Sequence, residues 1–309
     1  MTPITRRTAM MTTIGAPLAI GLTSAAQAQT APAMQGPASS NVYRFRLGSF
    51  EVTTLQAGTR VMDKPHETFG TNASSDDFAV LSKMNFIPTD RSLNGFTPTL
   101  VNTGSDLVLF DTGLAPEGIL SVLQEAGISP EQITIVVLTH MHGDHIGGVA
   151  GDGGPTFPNA RYVTGKVEHA HWAQAGNEGF DQKIRPLSDK TTLLDDGEEV
   201  VTGIKAVEAF GHTPGHMAYL LESDGQKLMI TADTANHYVW SLQKPDWEVR
   251  FDADKAQAAA SRRKIFGMLA AEHIPFIGYH MPFPSIGYVE STGEGFRFSP
   301  VTYQFRLDQ

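Results

Sequence analysis

The sequence predicts an α/β fold in which two β-sheets pack face to face with helices on their outer sides. Three observations predict it. Strand-like and helix-like patterns alternate in two successive blocks, each running from β to α. Ile133–Leu138 is a short, unbroken apolar run rich in β-branched residues, as strands buried on both faces are. No linker-like break divides residues 42–309, so one large domain with a full core is expected.

Residues 1–28 are not expected to belong to the fold. Arg6-Arg7 precede an uncharged apolar stretch from Thr8 to Ala25, and Ala26-Gln27-Ala28 is a small-x-small cleavage site. This is the pattern of an export signal, of the twin-arginine type, and it implies a periplasmic or secreted protein. Residues 29–41, with Pro32, Pro37 and two serines, read as a flexible linker. Tyr43–Phe50 and Glu51–Ala57 follow as paired strands turning at Gly48-Ser49. From Gly58 to Asn94 periodicity is poor and turn residues are frequent, so a long surface segment covering a site is expected. Phe96–Asn102 and Asp106–Asp111 flank Thr103-Gly104-Ser105 as a hairpin, and Asp111-Thr112-Gly113 closes it. Pro116–Ala126 is a helix with Ile119, Leu120 and Leu123 on its apolar side and Gly127 at its end.

After Ile133–Leu138 come a strand at Ala160–Thr164 and a helix at Lys166–Ala175. Glu199–Val201, Ile204–Phe210, Ala218–Glu222 and Lys227–Thr231 make a second strand-rich block. Asp252–Ala271 is the longest helical pattern, burying Ile265, Phe266, Met268 and Leu269. Pro275–Tyr279 is a last buried strand before a Pro- and Gly-rich finish.

Composition narrows the chemistry. Without the two arginines of the export signal, Lys+Arg falls from 23 to 21 against 33 acidic residues, a net charge of −12. Such a surface repels phosphate backbones and anionic lipid, which argues against nucleic-acid and membrane partners. The chain has no cysteine, so any metal site must be built from histidine and carboxylate.

The 11 histidines matter by placement. His140, His142, Asp144 and His145 stand together in Thr139-His140-Met141-His142-Gly143-Asp144-His145, just beyond a buried strand, where a loop can turn several side chains toward one point. His212, in Gly211-His212-Thr213-Pro214-Gly215-His216, follows another strand; so do Asp233 and His280. Packing does not explain four strands that each end in a potential ligand for a divalent metal. His216 is expected to support the loop or orient a ligand. His66, His169, His171 and His273 read as surface or hydrogen-bonded residues.

His-x-His-x-Asp-His, then Gly-His-Thr-x-Gly-His, an aspartate after a strand and a final histidine resemble the metallo-β-lactamase superfamily. The resemblance implies an αββα four-layer sandwich with two divalent metal ions at one edge of the sheets: zinc first, with manganese, cobalt or iron as other candidates. It implies that His140, His142 and His212 hold one ion, that Asp144, His145 and His280 hold the second, and that Asp233 bridges them. From about Tyr43 onward the chain is also similar to the methyl parathion hydrolase branch and its lactonase relatives. Leu47-Gly48-Ser49-Phe50-Glu51, Leu100–Ser105, Phe157–Ala160 and Gly295–Phe298 carry that likeness.

The function implied is a dinuclear hydrolase in which a metal-bridging hydroxide attacks a neutral lactone or aryl ester. Asp144 and Asp233 are the candidates for passing a proton to the leaving alkoxide. Organophosphate triester hydrolysis, β-lactam hydrolysis and a non-catalytic periplasmic metal-binding role are the alternatives. Asn236 stands where acyl homoserine lactonases carry tyrosine, and Leu114–Ile119 where methyl parathion hydrolase has a longer, Phe-bearing segment. These departures argue against quorum-signal lactones and efficient triester cleavage. Trp172, Phe283, His237, Phe86 and Phe96 are the candidate pocket walls. Relatives are often dimers, which makes a homodimer an assembly to test.

Overall fold

The computed structural model describes residues 40–307; the stretch expected to be an export signal and residues 29–39 of the expected linker lie outside the described residues. The first part of the chain runs β1 (Val42–Leu47), β2 (Phe50–Leu55), β3 (Gly58–Asp63), α1 (Ser75–Met84), β4 (Arg91–Phe96), β5 (Thr99–Asn102), β6 (Leu107–Phe110), α2 (Pro116–Glu125) and β7 (Ile135–Leu138). It continues through α3 (Gly143–Ile146), the short pair β8 (Ala150–Gly151) and β9 (Gly154–Pro155), β10 (Arg161–Gly165), α4 (Lys166–Gln174), α5 (Glu178–Lys183) and β11 (Thr191–Leu194). The second part runs β12 (Glu199–Val201), β13 (Ile204–Glu208), β14 (Met217–Ser223), β15 (Gln226–Ala232), α6 (Lys255–Glu272), β16 (Phe276–Gly278), β17 (Ile286–Ser291) and β18 (Phe296–Pro300).

Two seven-stranded sheets result, one in the order β1-β2-β5-β6-β7-β10-β11 and the other from β12 to β18 in sequence order. The period-2 alternation of a strand assigns each side chain to a layer. Val108, Phe110, Ile135 and Val137 face inward and meet Tyr219, Leu221, Leu228 and Ile230 in the core between the sheets. Their neighbours Leu109, Val136 and Leu138 face outward onto Ile119, Val122 and Leu123 of α2 and Phe180 of α5. Beyond the second sheet, Met229 and Phe276 pack against Ile265, Phe266 and Leu269 of α6. This is the αββα sandwich, and β7 is apolar at every position because both of its faces are covered.

Several segments differ from expectation. Gly58 to Asn94 is ordered: β3 and β4 form an antiparallel ribbon from Gly58↔Phe96 to Asp63↔Arg91, with α1 inserted between them. Val61 and Leu93 of this ribbon are 60% and 64% exposed, so an apolar period does not mark a buried face. The expected strand Phe96–Asn102 divides at Pro98, leaving Phe96 in β4. The Pro- and Gly-rich finish contains the antiparallel pair β17–β18, paired from Gly287↔Pro300 to Ser291↔Phe296. Asn41 and Ser40, assigned to the linker, are bonded to the Glu125 carboxylate at the end of α2.

Strands β6, β7 and β10 run parallel, and so do β15 and β16. Their carboxyl ends carry the loops that converge on one edge of the sandwich, the usual place for a site in open parallel sheets.

Candidate metal centre

The loop after β7 brings His140 and His142 to the segment after β13. His140 Nε2 lies 3.1 Å from His142 Nδ1, which lies 2.9 Å from His212 Nε2. A second group forms where α3 meets the loop after β16: His280 Nε2 and His145 Nε2 stand 3.4 and 3.8 Å from Asp144 Oδ2. Asp233, at the end of β15, lies between the two. Its Oδ2 is 3.3 Å from His212 Nε2 and 3.2 Å from His280 Nε2, and its Oδ1 is 3.3 Å from His145 Nε2. All seven residues singled out from the sequence are therefore in one cluster. His66, His169, His171 and His273 lie outside it.

The far nitrogens show which face each ring turns to the centre. His145 Nδ1 donates to Asp111 Oδ2 at 2.8 Å, His212 Nδ1 to Asp252 Oδ1 at 2.8 Å, and His280 Nδ1 to the Gly95 carbonyl at 2.8 Å. His140 Nδ1 donates to Thr139 Oγ1, whose own proton goes to Asp111 Oδ2. With Nδ1–H engaged, Nε2 presents a lone pair, the arrangement that fixes the tautomer of a metal-ligating histidine. Burial holds the pKa of His140 well below the usual histidine value and that of His142 down to about 4, so both are neutral donors. Burial also opposes charge on His145, but the Asp233, Asp111 and Asp144 carboxylates outweigh it and raise its pKa.

The donor set fits divalent cations. His145 Nε2 and Asp233 Oδ1 are buried and have no hydrogen-bond partner among the described residues. A buried, unsatisfied imidazole lone pair and carboxylate oxygen are costly alone and are what a cation satisfies. His216 plays a different part: its Nε2 accepts the Asp233 N–H at 3.1 Å, and burial holds its pKa down to about 3. It fixes the backbone that presents Asp233.

A cavity of about 400 Å³ opens on the cluster. Its walls include Met62, Phe69, Phe96, Leu114 and Phe251, with Arg60 and Asn94. Phe96 is the one proposed wall found there, edge-on to His280 at 5.7 Å. His237 and Phe283 line a neighbouring cavity of about 390 Å³ on the other face of the β3–β4 ribbon, and His280 touches both spaces. His237 is held there by Val239 and Trp240 N–H groups donating to its Nδ1. Trp172 lines neither cavity: it stands behind His142, edge-on at 5.9 Å. Phe86 is 97% exposed, because the left-handed turn after α1, with φ 57°, points its ring into solvent. Asp111, Asp252 and Arg262 were not legible as site residues, since the two carboxylates hold His145 and His212 from outside the cluster and Arg262 in turn holds Asp252.

A profile of the metallo-beta-lactamase superfamily matches residues 97–275, more than half of the chain, and the chain belongs to that superfamily. Among solved structures, AidC, a dizinc quorum-quenching lactonase in complex with a product, N-hexnoyl-L-homoserine, is similar at 28% identity and a TM-score of 0.78, over 86% of this chain and 99% of that one. AbOPH, a hydrolase in the beta lactamase superfamily, is similar at 25% identity and a TM-score of 0.80, over 87% of this chain and 100% of that one. An N-acyl homoserine lactonase of a Bacillus species is 26% identical over 147 residues, 47% of this chain. The chain spans about half the length of that curated relative, 56% of it.

Proposed function

We propose that the chain is a metal-dependent hydrolase of neutral lactones that also accepts aryl esters. Two divalent ions, zinc first among the candidates, would be held by His140, His142 and His212 and by Asp144, His145 and His280, with Asp233 shared. The observation that carries this reading is the pair of three-residue groups joined at Asp233 and opening onto one largely apolar cavity. The lactonase relatives at 28% and 26% identity support the lactone class.

Ions bound there would supply Lewis acidity toward a substrate carbonyl and a more acidic water. The residues of the chain supply the rest. Met62, Phe69, Phe96, Leu114 and Phe251 exclude water and accept an alkyl or aryl group, and among the described residues of this lining Arg60 is the one lysine or arginine. Asp144, with 24% of its side chain exposed, lines the cavity and is placed to carry a proton toward the leaving oxygen. Asp233 is enclosed: burial works against its charge, but His280 and His145 hold its pKa well below the usual value, so it serves as an anion. Asn236 donates its amide to Asp233 Oδ2 at 2.8 Å, orienting the shared carboxylate.

The test is turnover by protein reconstituted with zinc or manganese. The panel is dihydrocoumarin, γ- and δ-lactones, acyl homoserine lactones, p-nitrophenyl esters, a paraoxon-type triester and a chromogenic cephalosporin. Lactones should lead, and His142→Ala should lower their turnover by about two orders of magnitude or more. A cephalosporin cleaved far faster than every lactone would overturn the substrate assignment.

A further inference from the structure

Glu168 lies in the first turn of α4 and is completely buried, yet it forms no ion pair among the described residues. Its two oxygens instead receive four donors. Oε1 accepts the Met141 N–H at 2.9 Å and the Trp172 Nε1–H at 2.6 Å. Oε2 accepts the Thr213 hydroxyl at 2.7 Å and the Gly215 N–H at 3.0 Å. Met141 stands between His140 and His142, and Thr213 and Gly215 follow His212. One carboxylate thus joins the two loops that carry the three-imidazole group, while Trp172 is held edge-on to His142.

The backbone is shaped for this contact. A Cβ on Gly215 would meet the Glu168 nitrogen at 2.1 Å, and a Cβ on Gly211 would meet the Ala258 nitrogen at 2.1 Å. The Gly-His-Thr-Pro-Gly-His loop is therefore seated on α4 through one glycine and on α6 through the other. Glutamine cannot replace the carboxylate, because one of its two ends must turn an NH₂ donor toward a pair of donors. The Thr213 hydroxyl could rotate to accept from it; the Gly215 N–H could not.

We infer that Glu168 is a positioning residue that clamps the 140–142 segment to the 211–216 loop and sets the spacing of His142 from His212. This rests on the metal-dependent reading proposed above. The clamp acts on one group of imidazoles and leaves Asp144, His145 and His280 untouched.

The full-length protein loaded with zinc or cobalt provides the test. Glu168→Gln should loosen one of the two ions about tenfold or more in competition with a chelator, leave the other unchanged, and alter the cobalt absorption spectrum. Thr213→Val removes a single bond of the clamp and should do the same to a lesser degree, whereas Thr213→Ser should restore wild-type affinity. If Glu168→Gln does not fold, the valine and serine variants decide the matter. Variants with a lowered melting temperature but wild-type affinity for both ions and an unchanged spectrum would overturn the inference, leaving Glu168 as a fastening of the fold. Two ions bound by a wild-type protein that opens no lactone would remove the proposed substrate while the clamp stood. A wild-type protein that binds no ion would overturn both.

Discussion

Asp111 ends a buried strand in the left-handed region, at φ 60°, where a residue with a Cβ is strained by about 1 kcal/mol or more. That turn aims its carboxylate at three donors: the Thr139 N–H at 2.9 Å, the Thr139 hydroxyl at 2.8 Å and His145 Nδ1–H at 2.8 Å. In the sequence it sits in Asp-Thr-Gly and reads as a turn, because a lone carboxylate at a strand end has no pattern. The neighbouring ligands were legible for the opposite reason: three imidazoles crowded beyond an apolar strand have no packing explanation. Asp111→Asn would set an amide NH₂ against at least one of those donors and free His145 to turn. Metal affinity should fall by roughly 10–100-fold, read by chelator competition. An affinity within twofold of wild type would show that His145 is held by its other contacts alone.

Helix α6 shows the same limit at the level of an element. Its buried side reads from the sequence as Ile265, Phe266, Met268 and Leu269; Met268 is only partly buried, and Arg262 lies on that side at 1% exposure. The guanidinium donates to the Thr234 and Pro245 carbonyls and to Asp252 Oδ2 at 3.0 Å, and Asp252 in turn receives His212. The helix begins at Lys255, capped by Asp254, and Asp252 is left free for this pairing. Periodicity located the helix without showing that one of its inward positions is charged. Arg262→Met leaves a buried carboxylate without its cation and should cost about 3–5 kcal/mol, measured by urea unfolding.

The pH dependence has a definite sign. Burial works against the Asp252 charge, but His212 and Arg262 outweigh it and lower its pKa below the usual 3.8. A lowered carboxylate adds stability above its unfolded pKa and loses it as pH falls through the folded one. In chelator-treated protein, Asp252→Asn should therefore be less stable near neutrality and lose less stability than wild type below about pH 4. Parallel curves through that range would place the acid sensitivity elsewhere.

Across the whole molecule, His140, His142, Asp144 and His145 come from the edge of one sheet, whereas His212, Asp233 and His280 come from the other. Ions bound by both would add a cross-link between layers that meet mainly through side-chain packing in the core. Each ion at a concentration 100 times its Kd adds about 2.7 kcal/mol. For a domain of this size two ions should raise the melting temperature by about 10–20 °C, and chelation should abolish the gain. A melting temperature unmoved by chelator would mean that the cluster holds no ion tightly. The sandwich itself was legible because alternation and continuous apolar runs follow burial. The β3–β4 ribbon was not, because Val61 and Leu93 are largely exposed and each of its faces borders a cavity where a core would give a clear period.

That ribbon divides two chambers. Asn94 and Phe96 of β4, with Arg60 and Met62 of β3, face the metal cavity, while Leu93 and Gly95, with Thr59, face its neighbour. Its length is therefore subject to a parity rule. Loss of one residue from β4 would exchange what that strand shows to the two chambers, carrying a leucine toward the histidine cluster and a phenylalanine away from it; loss of two would restore the order. Only even steps in β4 keep each of its side chains on its own side, and the ribbon carries none of the seven clustered residues.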